Sequence, residues 1–176
     1  MFESLRSRMA FDAIRKWLGA HTRTRKTHTL ETASTIAVLF DATIEKTRTE
    51  TLSWIKNLQK SGKKVQIFGF FNEKKPPVPT PDFDFFTTKE TSWTFVPKSE
   101  KAIAFIAAKS DLLLCINPGE HPAVSWIAAQ SKANMKIGMA TTHHNDYDLQ
   151  IDTPNEKGVH FFAEQLNFYL GKIKTP

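Results

Sequence analysis

A doubly wound α/β fold, with a mainly parallel Rossmann-like sheet between two helical layers, is predicted by three observations. The run Thr35-Ile36-Ala37-Val38-Leu39-Phe40 is short and almost continuously apolar, as in a strand covered on both faces. It closes at Asp41 and is followed by helix-compatible sequence to Lys60, then Gly62 and a second run, Val65 to Phe71. That spacing suits a parallel crossover, which is almost always right-handed. Third, strand-like and helix-like stretches keep alternating to the end of the chain, the pattern of a parallel sheet with helices on both sides.

Each element has its own signal. Residues 2–18 place Phe2, Leu5, Met9, Ala13 and Trp17 at helical intervals, with Ile14 and Leu18 on a neighbouring row. Gly19 is a candidate terminator. Residues 22–28 are polar and lack apolar periodicity, so they read as an extended linker. After the first strand a helix is expected from about Thr43 to Lys60, with Leu52, Ile55 and Leu58 facing in and Trp54 alongside. The prolines between Asn72 and Pro81 forbid sheet interior there. Phe83–Phe86 reads as a third strand, and Trp93–Pro97 as an extended segment covering a sheet edge. Ser99 is a helix N-cap for Ala102–Ala107. Then come a strand at Asp111–Ile116, a turn at 117–120, a helix at His121–Lys132 and a strand at Met135–Ala140. A polar loop at 141–146, a last strand at Tyr147–Ile151 and a helix at Asn155–Ile173 complete the chain.

The domain division expected is 1–28 as a basic amphipathic arm and linker, with 29–176 as one α/β domain that folds without it. Of the formal charge of +6, the arm supplies most. It holds Arg6, Arg8, Arg15, Lys16, Arg23, Arg25 and Lys26 against Glu3 and Asp12. A basic amphipathic helix can lie on an anionic membrane, contact RNA, bind a protein or pack on its own domain, and these seven cations are the candidate polyanion contacts. The single Cys115 lies in an apolar run and reads as a buried small hydrophobe. No apolar segment approaches the length of a membrane span, and a reducing cytoplasm fits.

The expected strand order is 3-2-1-4-5, with the last segment at the far edge. Ligands in such sheets bind where the winding reverses, here between the first strand and the one ending at Ile116. Asp41 and Thr43 from one side, and Asn117, Gly119 and His121 from the other, are therefore the candidate ligand-binding residues.

Several phrases carry a resemblance. Thr35–Thr43, Phe83–Phe86, Ser131–Gly138, Tyr147–Asp152 and the closing Phe162, Gln165, Tyr169 and Leu170 resemble an uncharacterised protein family of Bacteroidetes, as does the basic leader. That likeness spans essentially the whole chain and implies no activity. Residues 111–152 are also similar to the N-terminal Rossmann-like half of heptosyltransferase-type glycosyltransferases. The chain is too short to hold the second half of such an enzyme, so no catalytic residue is carried over.

Motifs for specific chemistry are sparse. Asp41-Ala42-Thr43-Ile44 has no glycine, and Gly119 is followed by Glu120, so neither strand end offers a phosphate loop. Asp41 reads either as a ligand-orienting acid or as a helix-cap or turn residue. His143 and His144 lie in a polar loop without metal-ligand spacing, so no metal site is assigned and no cofactor is identified. Phe83–Phe86 and Trp93 near Lys74, Lys75 and Lys89 read either as base-stacking aromatics or as core filling. Two functions remain: a non-enzymatic binding or interaction module, and a small Rossmann-like enzyme or enzyme remnant binding a sugar or nucleotide in the strand-end crevice.

Overall fold

A computed structural model of the protein describes residues 1–174; the last two residues of the expected 29–176 domain lie outside the described residues. The apolar runs become the centre of the sheet. β1 (Thr35–Asp41), β4 (Leu112–Ile116) and β5 (Met135–Met139) are buried along almost their whole length, because helices or loops cover both of their faces. β2 (Lys64–Phe71), β3 (Asp84–Thr87) and β6 (Leu149–Ile151) complete six parallel strands in the order β3-β2-β1-β4-β5-β6. The expected order and the far-edge position of the last strand are both found.

The two layers divide by crossover direction. α2 (Glu45–Lys60) and α5 (Gly158–Leu170) share one apolar cluster with Ile36, Val38, Phe40, Leu114 and Ile137. α3 (Glu100–Ala107) and α4 (Pro122–Gln130) share the other with Ala37, Leu39, Phe68 and Leu113. Strands laid outward from β1 in opposite directions must send right-handed crossovers to opposite faces. That reversal lies between β1 and β4, where Phe40 pairs with Ile116.

Two crossovers lack a helix, residues 72–83 between β2 and β3 and residues 140–148 between β5 and β6. Tyr147 packs from the second of these segments onto the α3/α4 cluster. A Cβ on Gly138 would lie 2.6 Å from the Tyr147 ring, so glycine alone allows that approach. The layer is completed by α1 (Phe2–Ala20), which packs beside α4. Its fully buried residues are Ala10 and Ile14, with Phe11, Ala13, Trp17 and Leu18 against the same core.

Several local expectations are corrected. α1 runs through Gly19, whose position meets no crowding, and the chain turns extended only at His21. α5 is shorter than Asn155–Ile173. Trp93–Pro97 forms a tight turn rather than an extended edge cover, with Phe95 in the left-handed region (φ 60°) and buried among the α3/α4 cluster. Trp126 Nε1 donates to the Thr94 carbonyl at 3.0 Å and ties that turn to α4. Residues 22–28, read as a linker, are extended but docked. Arg23 donates to the Asp146 carboxylate at 2.9 Å and to the Asn134 carbonyl at 2.9 Å, Lys26 N–H donates to Asn134 O, and His28 is buried.

Candidate functional site

The carboxyl ends of β1 and β4 stand side by side, as the winding requires, and carry all five candidate crevice residues. Their polar atoms are largely occupied by their own loops. Asp41 Oδ1 accepts the Thr43 N–H at 2.9 Å, closing an Asx turn, while Thr43 Oγ accepts from Asn72 N–H at 2.9 Å. Burial raises the Asp41 carboxyl above the usual carboxylate range, partly offset by hydrogen bonds from Thr43. Across the gap, Asn117 Oδ1 accepts from His121 N–H at 2.9 Å, and its Nδ2 donates to the His121 carbonyl and to Ser125 Oγ. Asn117 therefore fastens the turn that launches α4. Gly119 is exposed, and a Cβ at its position would meet nothing within 4 Å.

His121 caps α4: its Nδ1 accepts the Ala123 N–H at 3.2 Å. The ring lies against Phe70 and Phe95, with centroids 4.4 and 5.1 Å away. Burial, reinforced by the Arg6 charge, lowers its pKa to about 4, so it is neutral at physiological pH. Arg6 itself comes from α1. Its guanidinium sits 4.3 Å from the Phe95 ring centroid and its Nε donates to the Trp93 carbonyl at 2.9 Å. The His121 ring is thus covered by Phe70 and Phe95, with Arg6 stacked on Phe95.

Beside it, at the ends of β4 and β5, lies a small polar enclosure. Glu120 reaches it from a left-handed backbone conformation (φ 50°) and accepts hydrogen bonds from Thr141 Oγ at 2.7 Å and Thr142 N–H at 3.1 Å. Against the upward push of burial, those bonds and the nearby His143 hold its carboxyl below the usual range. Phe11 of α1 stacks on His143 at 3.5 Å between centroids. The remaining cavity is about 20 Å³, lined among others by Asn117, Glu120, His143 and Tyr147. That is space for about one water molecule. No cluster of three or more His, Cys, Asp or Glu side chains suited to a metal occurs among the described residues.

A buried ionic group was not singled out from the sequence. Lys136, fully buried in β5, donates from Nζ to the Ala129 carbonyl at 2.9 Å and to both Asp146 oxygens at 3.2 Å. Desolvation lowers its pKa to about 8, with Asp146 opposing and Arg23 adding to the fall. Arg23 bridges Asp146 and Asp148, and Arg25 pairs with Asp148 as well. Despite burial, hydrogen bonds from Lys136 N–H, Arg23 and Arg25 keep Asp148 below its ordinary pKa. The one lysine inside Met135-Lys136-Ile137-Gly138-Met139 was the available signal. Cys115 is buried as expected, and burial pushes its thiol up to about 12, far from a nucleophile's range.

The seven basic candidates in residues 1–28 separate into two sets. Arg6, Arg23 and Arg25 are engaged with the body of the protein, and Arg15 pairs with Asp12 at 3.0 Å. Arg8, Lys16 and Lys26 are exposed and make no ion pair among the described residues. Next to Arg6 an open groove of about 610 Å³ runs past Glu3, Glu73, Lys74, Lys75 and Lys89 at the ends of β2 and β3.

This arrangement, including most of α1, is spanned by one family profile, which matches residues 7–173. The chain belongs to the family of unknown function DUF6913. Among curated proteins none matches it significantly. The family carries no assigned activity, so a functional reading of this member has to come from its own surface and site chemistry.

Proposed function

We propose that this DUF6913 protein is a non-enzymatic interaction module that meets an anionic partner through the outward side of α1, in a reducing cytoplasm. One observation carries the reading: the polar side chains at the strand ends are engaged from within the fold. Asp41, Thr43, Asn117 and His121 are held by hydrogen bonds with neighbouring turn and strand-end groups, Phe70 and Phe95 lie against the His121 ring, and the enclosure beside Asn117 is about 20 Å³. Ligand sites ordinarily offer some 300–1,000 Å³ with converging polar groups left free. Burial within the fold shifts His121, Lys136 and Asp41, and hydrogen bonds from Thr43 partly offset the shift at Asp41. Exposed cations on α1 and along the basic groove supply the alternative contact surface.

A thermal-shift panel of nucleotides, nucleotide-sugars and divalent metals tests this. A ligand of the crevice present at 100 times its Kd would add about 2.7 kcal/mol of stability. The expected outcome is no change in Tm with any of them. A reproducible rise of several degrees, lost in Asn117→Ala, would establish the Rossmann-like enzyme or enzyme-remnant reading instead.

A further inference from the structure

Among the described residues Ile44, Val78, Ile103, Phe168 and Tyr169 are large apolar side chains exposed at separate places, whereas the first half of α1 and the turn beside it expose several together. Phe2 (80% exposed), Leu5 (49%) and Met9 (44%) form the outward row of the first half of α1. Trp93 (51%) adjoins them, because Arg6 of the same helix donates to the Trp93 carbonyl and lies 5.9 Å from its ring. Arg6 also lines the groove that holds Lys74, Lys75 and Lys89. Apolar row, tryptophan and lysines are therefore contiguous, joined through Arg6. Arg8 and Lys16 extend the positive charge along the helix. The acidic groups on the same surface are Glu3, Asp12 and Glu73.

We infer that this surface docks on an anionic lipid bilayer, with Phe2, Leu5, Met9 and Trp93 entering the headgroup–acyl boundary and Lys74, Lys75 and Lys89 meeting lipid phosphates. The inference rests on the anionic-partner reading above and names the partner. Peripheral helices bind this way, with Phe, Leu and Trp inserted a short distance and cations in the headgroup layer. Tryptophan at the edge of the patch suits the interface, where one part of the ring is apolar and the indole N–H stays wet. A nucleic acid would use the cations and stack on Trp93 or Phe2, but it would leave Leu5 and Met9 without a role. No helix among the described residues is long and apolar enough to cross a membrane, so α1 would lie on the surface.

The test is vesicle sedimentation of the full chain with phosphatidylcholine vesicles, with or without 30% phosphatidylglycerol, and anisotropy titration of labelled poly(U). Binding to the anionic vesicles and not to the neutral ones is expected. Each cation at the surface contributes about fivefold in partitioning, so Lys74→Gln/Lys75→Gln/Lys89→Gln should weaken it roughly a hundredfold. Phe2→Ser/Leu5→Ser should weaken it at least tenfold while Tm stays as in the parent protein, since neither side chain is in the core. Vesicle binding that is absent, or indifferent to Phe2→Ser/Leu5→Ser, overturns the lipid assignment. In that event poly(U) binding that is lost in the lysine variant leaves the anionic-partner reading standing, whereas no binding to either removes both.

Discussion

The two halves of α1 both carry apolar residues at helical spacing and meet opposite fates. From Ala10 to Leu18 the helix lies in the α3/α4 layer, with Ala10 and Ile14 sealed against the sheet side of the molecule. From Phe2 to Met9 its large apolar residues face outward and its contacts with the body run through Arg6. Small side chains explain the docked half: Ala10 on α1 and Ala128 and Ala129 on α4 belong to the same cluster and let the two helices approach closely. The difference teaches that helical amphipathicity marks rows of side chains without saying which row a neighbour will cover. Arg23, just past the helix, then anchors the docked half to the crossover segment through Asp146 and Asp148.

The sharpest contrast between the halves is in stability. Ile14→Ala removes a buried side chain and should cost about 3 kcal/mol in denaturant unfolding. Leu5→Ala, on the same helix, should stay within about 0.5 kcal/mol of the parent. Comparable losses from the two would break the distinction. By the same logic, deleting residues 1–28 should sharply lower the unfolding midpoint, because it uncovers Tyr147 and α4 and leaves Asp146 and Asp148 without Arg23.

The anchor comes next in size. Arg23→Ala leaves Asp146 and Asp148 partly buried with fewer partners, and is expected to cost about 2–3 kcal/mol by chemical denaturation. Arg8→Ala, an exposed residue without an ion pair among the described residues, should change stability little.

A pH effect separates the covered His121 ring from the exposed surface. His121 has its folded pKa lowered to about 4 from 6.5, so between those values the unfolded chain binds a proton that the native protein does not. Stability is therefore lost as pH falls from about 6.5 toward 4, by up to about 3 kcal/mol from this residue. His121→Asn, which keeps a capping side chain, should flatten that limb in urea titrations at pH 7 and pH 4.5. An unchanged limb would mean that the ring is not held neutral by its place between Phe70 and Phe95. Below that range Glu120, Asp111 and Asp148, all lowered, lose their stabilising charge in turn.

The local sequence was informative wherever one physical requirement dominated. The β1, β4 and β5 runs could satisfy their apolar side chains only in a doubly covered sheet, and right-handed crossovers then left one strand order and one switch point. Asp41 and Asn117 were placed correctly at adjacent strand ends, yet their hydrogen-bond partners were not visible in the sequence. Trp93–Pro97 was misread because aromatic, β-branched composition suits a strand, whereas Phe95 adopts a left-handed turn that the surrounding core imposes.

By itself, then, the sequence determined the α/β class, the order of the strands and the place where a ligand would have to bind, since all three follow from short-range periodicity and chain handedness. Only the tertiary structure decided that the polar side chains at this place bond to neighbouring turns, that Lys136 has the Asp146 carboxylate to meet, and which row of α1 faces solvent. Those outcomes depend on contacts between residues far apart in the chain, such as Arg6 with Trp93, Phe11 with His143 and Arg23 with Asp148. Close packing and charge pairing select among faces that local periodicity leaves equivalent.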